Sequence, residues 1–128
     1  MYQDKLLPHN HHENQMAFDF LCANIDHIGD FRVVSDIFKQ LGDPTRLRIF
    51  WLLCHCEECV QNIAAMMNMS SPAISHHLRP LKASGLIVSR REGKEVYYRA
   101  ADSQQTRLLH HMMEQVMKIN CFTEDIEA

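Results

Sequence analysis

The fold is decided by residues 70–79, which read Ser70-Ser71-Pro72-Ala73-Ile74-Ser75-His76-His77-Leu78-Arg79. A serine here is suited to cap a helix, and the proline after it suits the first helical position, where its missing N–H would be unpaired anyway. Ile74, Leu78 and Leu81 then recur at helical spacing and are expected to face inward. The outer face keeps hydroxyls, imidazoles and cations, which are the groups that reach DNA base edges and phosphates.

The segments on either side of residues 70–79 complete a recognisable arrangement. Asp43-Pro44 is a helix start, and the apolar stripe that follows it ends near Cys54. A short helix is expected over residues 60–68, so that two helices are joined by a tight turn, which is the helix-turn-helix pattern. Residues 86–91 and 95–99 are rich in β-forming side chains and flank Glu92-Gly93-Lys94, which predicts a hairpin with a basic tip, or wing.

Apolar residues also recur at helical spacing near both ends of the chain. We expect a helix around residues 17–28, an interruption at Gly29-Asp30, a second helix to Leu41 and a last helix over residues 108–122. The sequence therefore predicts a mainly α fold with a small β-hairpin. The expected organisation is a flexible N-terminal arm at 1–13, one domain at 14–122 and a C-terminal tail at 123–128.

Length and charge narrow the class of protein. The 128 residues, 46% of them hydrophobic, suit one compact domain, and neither a membrane-spanning run nor a signal peptide is evident, so a cytoplasmic location is expected. The net charge is −3, but residues 44–100 hold eight basic and four acidic side chains. This local excess coincides with the helix-turn-helix pattern and favours a nucleic-acid partner.

Pro80 lies inside the helix that the pattern predicts. A proline there removes one backbone hydrogen bond and clashes with the preceding turn. We therefore expect either a kink in this helix or an early end to it.

A second chemically distinctive segment is Cys54-His55-Cys56-Glu57-Glu58-Cys59, which contains three of the five cysteines. In a reducing compartment such a cluster points to metal or thiol chemistry before it points to disulfides. Thiolates and imidazoles are ligands of Zn(II), and thiolates also favour softer ions. The alternative for Cys54 is a buried core thiol, because this residue completes the apolar stripe of its helix.

The chain resembles the ArsR/SmtB family of bacterial winged helix-turn-helix repressors over roughly residues 31–119. The likeness is carried by four motifs in order: Leu41-Gly42-Asp43-Pro44-Thr45-Arg46-Leu47-Arg48-Ile49, Ser71-Pro72-Ala73-Ile74-Ser75-His76-His77-Leu78, Leu81-Lys82-Ala83-Ser84-Gly85-Leu86-Ile87 and Arg91-Glu92-Gly93-Lys94-Glu95-Val96-Tyr97-Tyr98.

The resemblance implies a homodimer formed through the first and last helices, with one recognition helix of each subunit in the major groove of double-stranded operator DNA. In the family the apo protein usually represses, and an inducer metal lowers its affinity for DNA. The residues expected to face the groove are Ser71, Ala73, Ser75, His76 and Arg79, and those expected to contact DNA from the wing are Arg90, Arg91 and Lys94.

The resemblance also implies a metal site with cysteine ligands, but the cysteines of this chain do not all fall at the family's ligand positions. The family's first site cysteine falls on Cys59 and its second on Gln61. We therefore expect a site built from Cys54, Cys56 and Cys59 with His55, or with the arm histidines His9, His11 and His12, for Zn(II) or another thiophilic ion such as Cd(II), Pb(II) or As(III).

The family has a further metal site on the last helix, but we do not expect it in this chain. Asp102 is the one ligand of that site that is present, and the other ligand positions are occupied by Gln104, Gln115 and Lys118. His110, His111 and Glu114 could form a local substitute. We interpret them instead as a solvated or dimer-interface face of the helix.

Two other functions are weighed against metal-controlled repression. A repressor of the same fold could respond to oxidation or persulfide formation at its cysteines, which needs an accessible thiol of low pKa. A thiol oxidoreductase using Cys56-Glu57-Glu58-Cys59 is disfavoured, because helical patterns flank the pair. Neither catalytic residues, a small-molecule substrate nor a membrane partner is expected.

Overall fold

The computed structural model describes residues 7–9, 11 and 13–118. In chain order its elements are α1 (Gln15–Ile25), α2 (Ile28–Gln40), α3 (Pro44–His55), β1 (Glu58–Cys59), α4 (Val60–Met67), α5 (Ser71–Ala83), β2 (Ile87–Glu92), β3 (Glu95–Ala100) and α6 (Gln104–Met117). None of the helices among these described residues is long and apolar enough to cross a membrane. The mainly α fold with a small antiparallel sheet agrees with the sequence prediction.

The chain divides into two compact units, Met1–Ile37 and Phe38–Ala128. In the first unit Asn14 caps α1, with its Oδ1 accepting a hydrogen bond from the Ala17 N–H at 3.1 Å. The helix break falls at Asp26 and His27, so the expectation of a break at Gly29-Asp30 is wrong. Gly29 and Asp30 lie instead in the first turn of α2, where a negative charge is favourable beside the N-terminal end of the helix dipole.

The second unit contains a continuous hydrophobic core. α3 begins where the sequence predicts, with Asp43 Oδ2 accepting from the Arg46 N–H at 2.9 Å and Pro44 in the first turn. The core side chains come from α3, α4, α5 and the start of β2, and those almost fully buried are Ile49, Phe50, Leu53, Ile63, Ile74, Leu78, Leu81, Leu86 and Ile87.

A tight turn joins α4 to α5. Asn68 ends α4 in the left-handed conformation, at φ 55° and ψ 47°, and the Met69 N–H donates to the Ala64 carbonyl at 2.9 Å. Ser70 then caps α5, because its Oγ accepts from the Ala73 N–H at 3.3 Å. The predicted helix-turn-helix is therefore α4 and α5.

α5 continues through Pro80 to Ala83. The alternative that this helix ends early is therefore wrong. Leu78 and Leu81 are 2% and 0% exposed, so core packing on both sides of Pro80 holds the helical path despite the missing backbone hydrogen bond.

The sheet has three strands in the order β1-β3-β2, all antiparallel. β2 and β3 form the predicted hairpin, and its turn passes through Gly93 at φ 62°, a backbone conformation that glycine adopts without strain. β1 adds Glu58 opposite Tyr98 and Cys59 opposite Tyr97. The sequence analysis missed β1, because two residues are too few to show a strand period.

α6 ends at Met117, with Lys118 in the left-handed cap position. The expected extension of this helix to residue 122 and the tail at 123–128 lie outside the described residues. His12 and most of the expected arm at 1–13 lie outside them as well.

Candidate functional site

The outer face of α5 carries the groove-facing residues expected from the sequence. His76 and Arg79 are exposed on this face, whereas Ser71, Ala73 and Ser75 are half-buried. Because Ile74, Leu78 and Leu81 fill the core side, α5 is fixed to the second unit by one face and presents the other outward. The helix thus supplies short polar groups and a cation on a rigid element, as base and phosphate contacts require.

The cationic side chains of the wing differ in whether they have carboxylate partners within the chain. Lys94 is exposed at the tip of the hairpin, and Arg91 is exposed with its Nε donating to the Gly93 carbonyl at 3.4 Å. Both side chains are therefore placed where phosphate contacts from the wing would be made.

Arg90 has carboxylate partners within the chain. Its Nη2 lies 2.6 Å from Glu57 Oε1, its Nη1 lies 2.6 Å from Glu92 Oε2, and its guanidinium lies 4.8 Å from the centre of the Tyr97 ring. The hydrogen bonds from Arg90 lower the pKa of Glu57. A DNA phosphate would have to compete with Glu57 and Glu92 for this side chain. The pairing of Glu57 with Arg90 was not predicted from the sequence, since the two residues lie 33 positions apart.

Replacing Glu57 with glutamine should strengthen DNA binding several-fold, because the substitution removes one of the two carboxylates that compete with a phosphate for Arg90. Each added phosphate contact also steepens the fall of affinity with salt, by about one unit in the log–log slope. Fluorescence anisotropy on operator DNA over a salt series measures both quantities. Glu95→Gln is the matched control, since it removes the same charge from an exposed position elsewhere on the wing. Equal gains in the two variants would contradict the competition.

The cysteine segment lies at the end of α3, in a cleft of about 450 Å³. Cys54, His55 and Cys56 line this cleft together with His110 and Asp102, whereas Cys59 is buried in β1. The thiol of Cys56 contacts the Leu52 carbonyl, with 3.5 Å between Sγ and the oxygen. Burial and the charge of Glu58 both raise the pKa of Cys56.

Three potential metal ligands converge where α3 meets α6. His55 Nε2 lies 3.0 Å from His110 Nε2 and 3.5 Å from Glu114 Oε2, and His110 Nε2 lies 3.2 Å from the same oxygen. Burial and the neighbouring His110 lower the pKa of His55, against the opposing effect of Glu114. Glu114 is only 5% exposed, so the interpretation of His110 and Glu114 as a solvated or interface face of the helix is wrong.

The expected ligand set is only partly brought together. Within the part of the chain that the structure describes, the one group of three ligand atoms close enough to share an ion is His55, His110 and Glu114, and it contains no cysteine. His9 and His11 stack on each other with ring centres 5.6 Å apart. His12, the remaining arm histidine of the expected set, lies outside the described residues.

The helix-turn-helix, the wing and the outward face of α5 define a winged helix-turn-helix DNA-binding protein. The sequence profile described as bacterial regulatory protein, arsR family, matches residues 43–89. The chain is 36% identical over 85 residues to the transcriptional repressor SmtB homolog of Synechocystis sp., covering 66% of this chain and 64% of that protein. It is also 36% identical over 86 residues to the arsenic resistance transcriptional regulator ArsR2 of Pseudomonas putida, covering 66% of this chain and 74% of that protein.

A solved structure supports the same assignment. It is the homodimeric winged helix-turn-helix DNA-binding domain of a possible ArsR-family transcriptional regulator from Mycobacterium bovis, with a TM-score of 0.66 and 32% identity, covering 73% of this chain and 86% of that one. This chain belongs to the ArsR family of bacterial regulatory proteins. The names of these relatives are those of transcriptional regulators, which agrees with the function class predicted from the sequence.

Proposed function

We propose that this protein is a homodimeric cytoplasmic repressor, which binds operator DNA through α5 and the wing and is released by a thiophilic or transition metal ion bound at residues 54–59. The observation that carries the proposal is the position of the ligand-bearing cleft. Cys54, His55 and Cys56 line it at the end of α3, directly before β1 and the α4–α5 pair. The names of the relatives, a repressor and an arsenic resistance regulator, support it.

The apolar surface of the chain supports the dimer. Large hydrophobic side chains are exposed on α1, α2 and α6, and they are Met16, Phe20, Leu21, Ile25, Ile28, Phe31, Val33, Val34, Phe38, Leu108, Met112, Val116 and Met117. In each of the two units, such exposed apolar side chains are unfavourable in water and are typical of an interface. A second copy of the chain is the proposed occupant, in keeping with the homodimeric relative.

The connection between the cleft and the DNA-binding elements is short. β1 follows α3 by two residues, leads directly into α4, and pairs with β3 of the wing. A change at residues 54–57 is therefore transmitted both to the helix-turn-helix and to the wing. A bound ion would draw together the ligand side chains of residues 54–59. The usual coupling between two such sites is roughly 1–3 kcal/mol, or 5- to 150-fold in affinity.

The decisive measurement is fluorescence anisotropy of the reduced, metal-free protein on DNA from its own promoter, with and without stoichiometric Zn(II) or Cd(II). We expect tight binding without metal and weakening of at least fivefold with it. The double variant Cys54→Ser with Cys56→Ser should lose the Cd(II) response, and Cys22→Ser, in the other unit, should keep it. Tight binding that no metal changes would contradict release by metal while leaving DNA binding intact.

A redox-controlled repressor is less well supported. The raised pKa of Cys56 leaves its thiol protonated near neutral pH, and the thiolate is the reactive form. Peroxide or a persulfide donor should therefore leave DNA affinity unchanged in the absence of metal.

A further inference from the structure

Two imidazole nitrogens and a carboxylate oxygen converge where α3 meets α6. The three atoms His55 Nε2, His110 Nε2 and Glu114 Oε2 form a triangle with sides of 3.0, 3.2 and 3.5 Å. All three are of the atom types that bind transition metal ions in proteins. A cation at the centre is attracted by all three atoms.

The size of the triangle matches a transition metal ion. Zinc binds imidazole nitrogen at about 2.0–2.1 Å and carboxylate oxygen at about 2.0–2.2 Å, usually in a tetrahedron, so two of its ligands lie roughly 3.3–3.5 Å apart. The three observed separations of 3.0–3.5 Å bracket that spacing without movement of either helix.

The triangle is held by rigid elements and by outer contacts. His110 and Glu114 are four residues apart on α6 and so lie on one face of it, and His55 is the last residue of α3. Trp51, one turn earlier on α3, donates from Nε1 to Glu114 Oε2 at 3.4 Å, and its ring centre lies 4.6 Å from that of His55. Contacts of this kind orient metal ligands.

The site is open on one side. His55 and His110 line the cleft of about 450 Å³, whereas the Glu114 side chain is 6% exposed. An ion can thus enter from the cleft, and a water molecule or another cleft group can complete its coordination, while the carboxylate is buried among groups that compensate its charge.

We propose that His55, His110 and Glu114 bind a divalent transition metal ion of the Zn(II), Co(II) or Ni(II) class, at a site that uses no thiolate. Two imidazoles and a carboxylate select such ions over Cd(II), Pb(II) or As(III), which favour sulfur. Bound there, the ion joins the end of α3 to α6. Its effect on DNA affinity rests on the proposed function, but its binding does not.

The test uses Co(II) as the probe on the reduced, metal-free triple variant Cys54→Ser, Cys56→Ser and Cys59→Ser, which lacks the proposed cysteine ligands. We expect one equivalent of Co(II) to give visible ligand-field absorption in this variant. His110→Gln and His55→Gln, each added to the triple variant, should weaken Co(II) binding at least tenfold and abolish the rise in melting temperature caused by Zn(II). His111→Gln is the matched control, since His111 is the exposed neighbour of His110 on α6, and it should behave as the parent protein.

Removal of the cysteines tests whether Co(II) binding at this site is independent of thiolates. The triple variant Cys54→Ser, Cys56→Ser and Cys59→Ser should retain the Co(II) spectrum. Loss of the visible Co(II) absorption in this variant, equal losses in the His110 and His111 variants, or no binding at all would each overturn the site. If metal changes DNA affinity while the His55 and His110 variants bind Co(II) normally, the site fails and the proposed function stands. If the site binds Co(II) while no metal alters DNA affinity, the site stands and release by metal fails.

Discussion

Replacing Ser75 and His76 together with alanine should lower affinity for operator DNA by at least about 30-fold. Ser75 is half-buried and His76 is exposed, and neither is a core side chain of α5, so their removal takes away the groups proposed to meet the major groove without opening the core. A single hydrogen bond is worth about 0.5–1.5 kcal/mol, and the proposed dimer would lose four of them, so the double substitution costs roughly 2–6 kcal/mol of binding free energy. Anisotropy titrations at fixed salt, on operator and on unrelated DNA, measure the weakening, which should fall mainly on the operator.

A matched substitution outside α5 distinguishes the loss of base contacts from a loss of folded protein. His111→Ala removes the same ring from an exposed position on α6 and should leave affinity for both DNAs unchanged. Urea unfolding of each variant checks that the fold persists. Equal weakening on operator and unrelated DNA would mean that Ser75 and His76 contribute no sequence readout, and the assignment of α5 as the base-reading helix would then be wrong.

Pro80→Ala should raise the free energy of unfolding by about 2 kcal/mol. A proline in a helix interior costs about 3 kcal/mol relative to alanine, and the stiffness it gives the unfolded chain returns roughly 0.4–1 kcal/mol. α5 runs on to Ala83, and an alanine N–H at position 80 would restore the missing bond to the His76 carbonyl. Urea unfolding at fixed protein concentration is the measurement, since the stability of a dimer depends on concentration.

Pro44→Ala is the matched control, because Pro44 lies at the start of a helix and Pro80 lies in a helix interior. Pro44 lies in the first turn of α3, where proline costs nothing, so Pro44→Ala should leave stability unchanged or lower it by up to about 1 kcal/mol. A destabilised Pro80→Ala variant would show that the ring of Pro80 contributes packing that outweighs the missing hydrogen bond.

The helix-turn-helix was predictable because its signals are local. Asp43, Ser70 and the spacing of Ile74, Leu78 and Leu81 act through neighbours one or two turns away, and the structure confirms each of them. The break before α2 was misplaced because glycine suggests an interruption, whereas in a first helical turn it is tolerated at low cost.

The interactions that sequence reasoning missed all join distant parts of the chain. Glu57 meets Arg90 across 33 positions, and His55 meets His110 across 55. Periodicity placed His110 and Glu114 on one face of α6 but did not reveal what covers that face. The cysteines attracted the metal prediction because their spacing is visible in the sequence, whereas the convergence of two imidazoles and a carboxylate requires the packing of α3 on α6.

The two-residue strand β1 has a mechanical consequence for the wing. A free-standing two-stranded hairpin is marginally stable and bends easily, but here the third strand ties β3 to the residue pair that follows the cleft. β1 pairs at Tyr97 and Tyr98, midway along the hairpin, so the hairpin is stiffened there while Gly93 and Lys94 remain at its distal turn. A displacement of Glu58 and Cys59 would therefore be passed to that turn, which lies only two residue pairs beyond Tyr97.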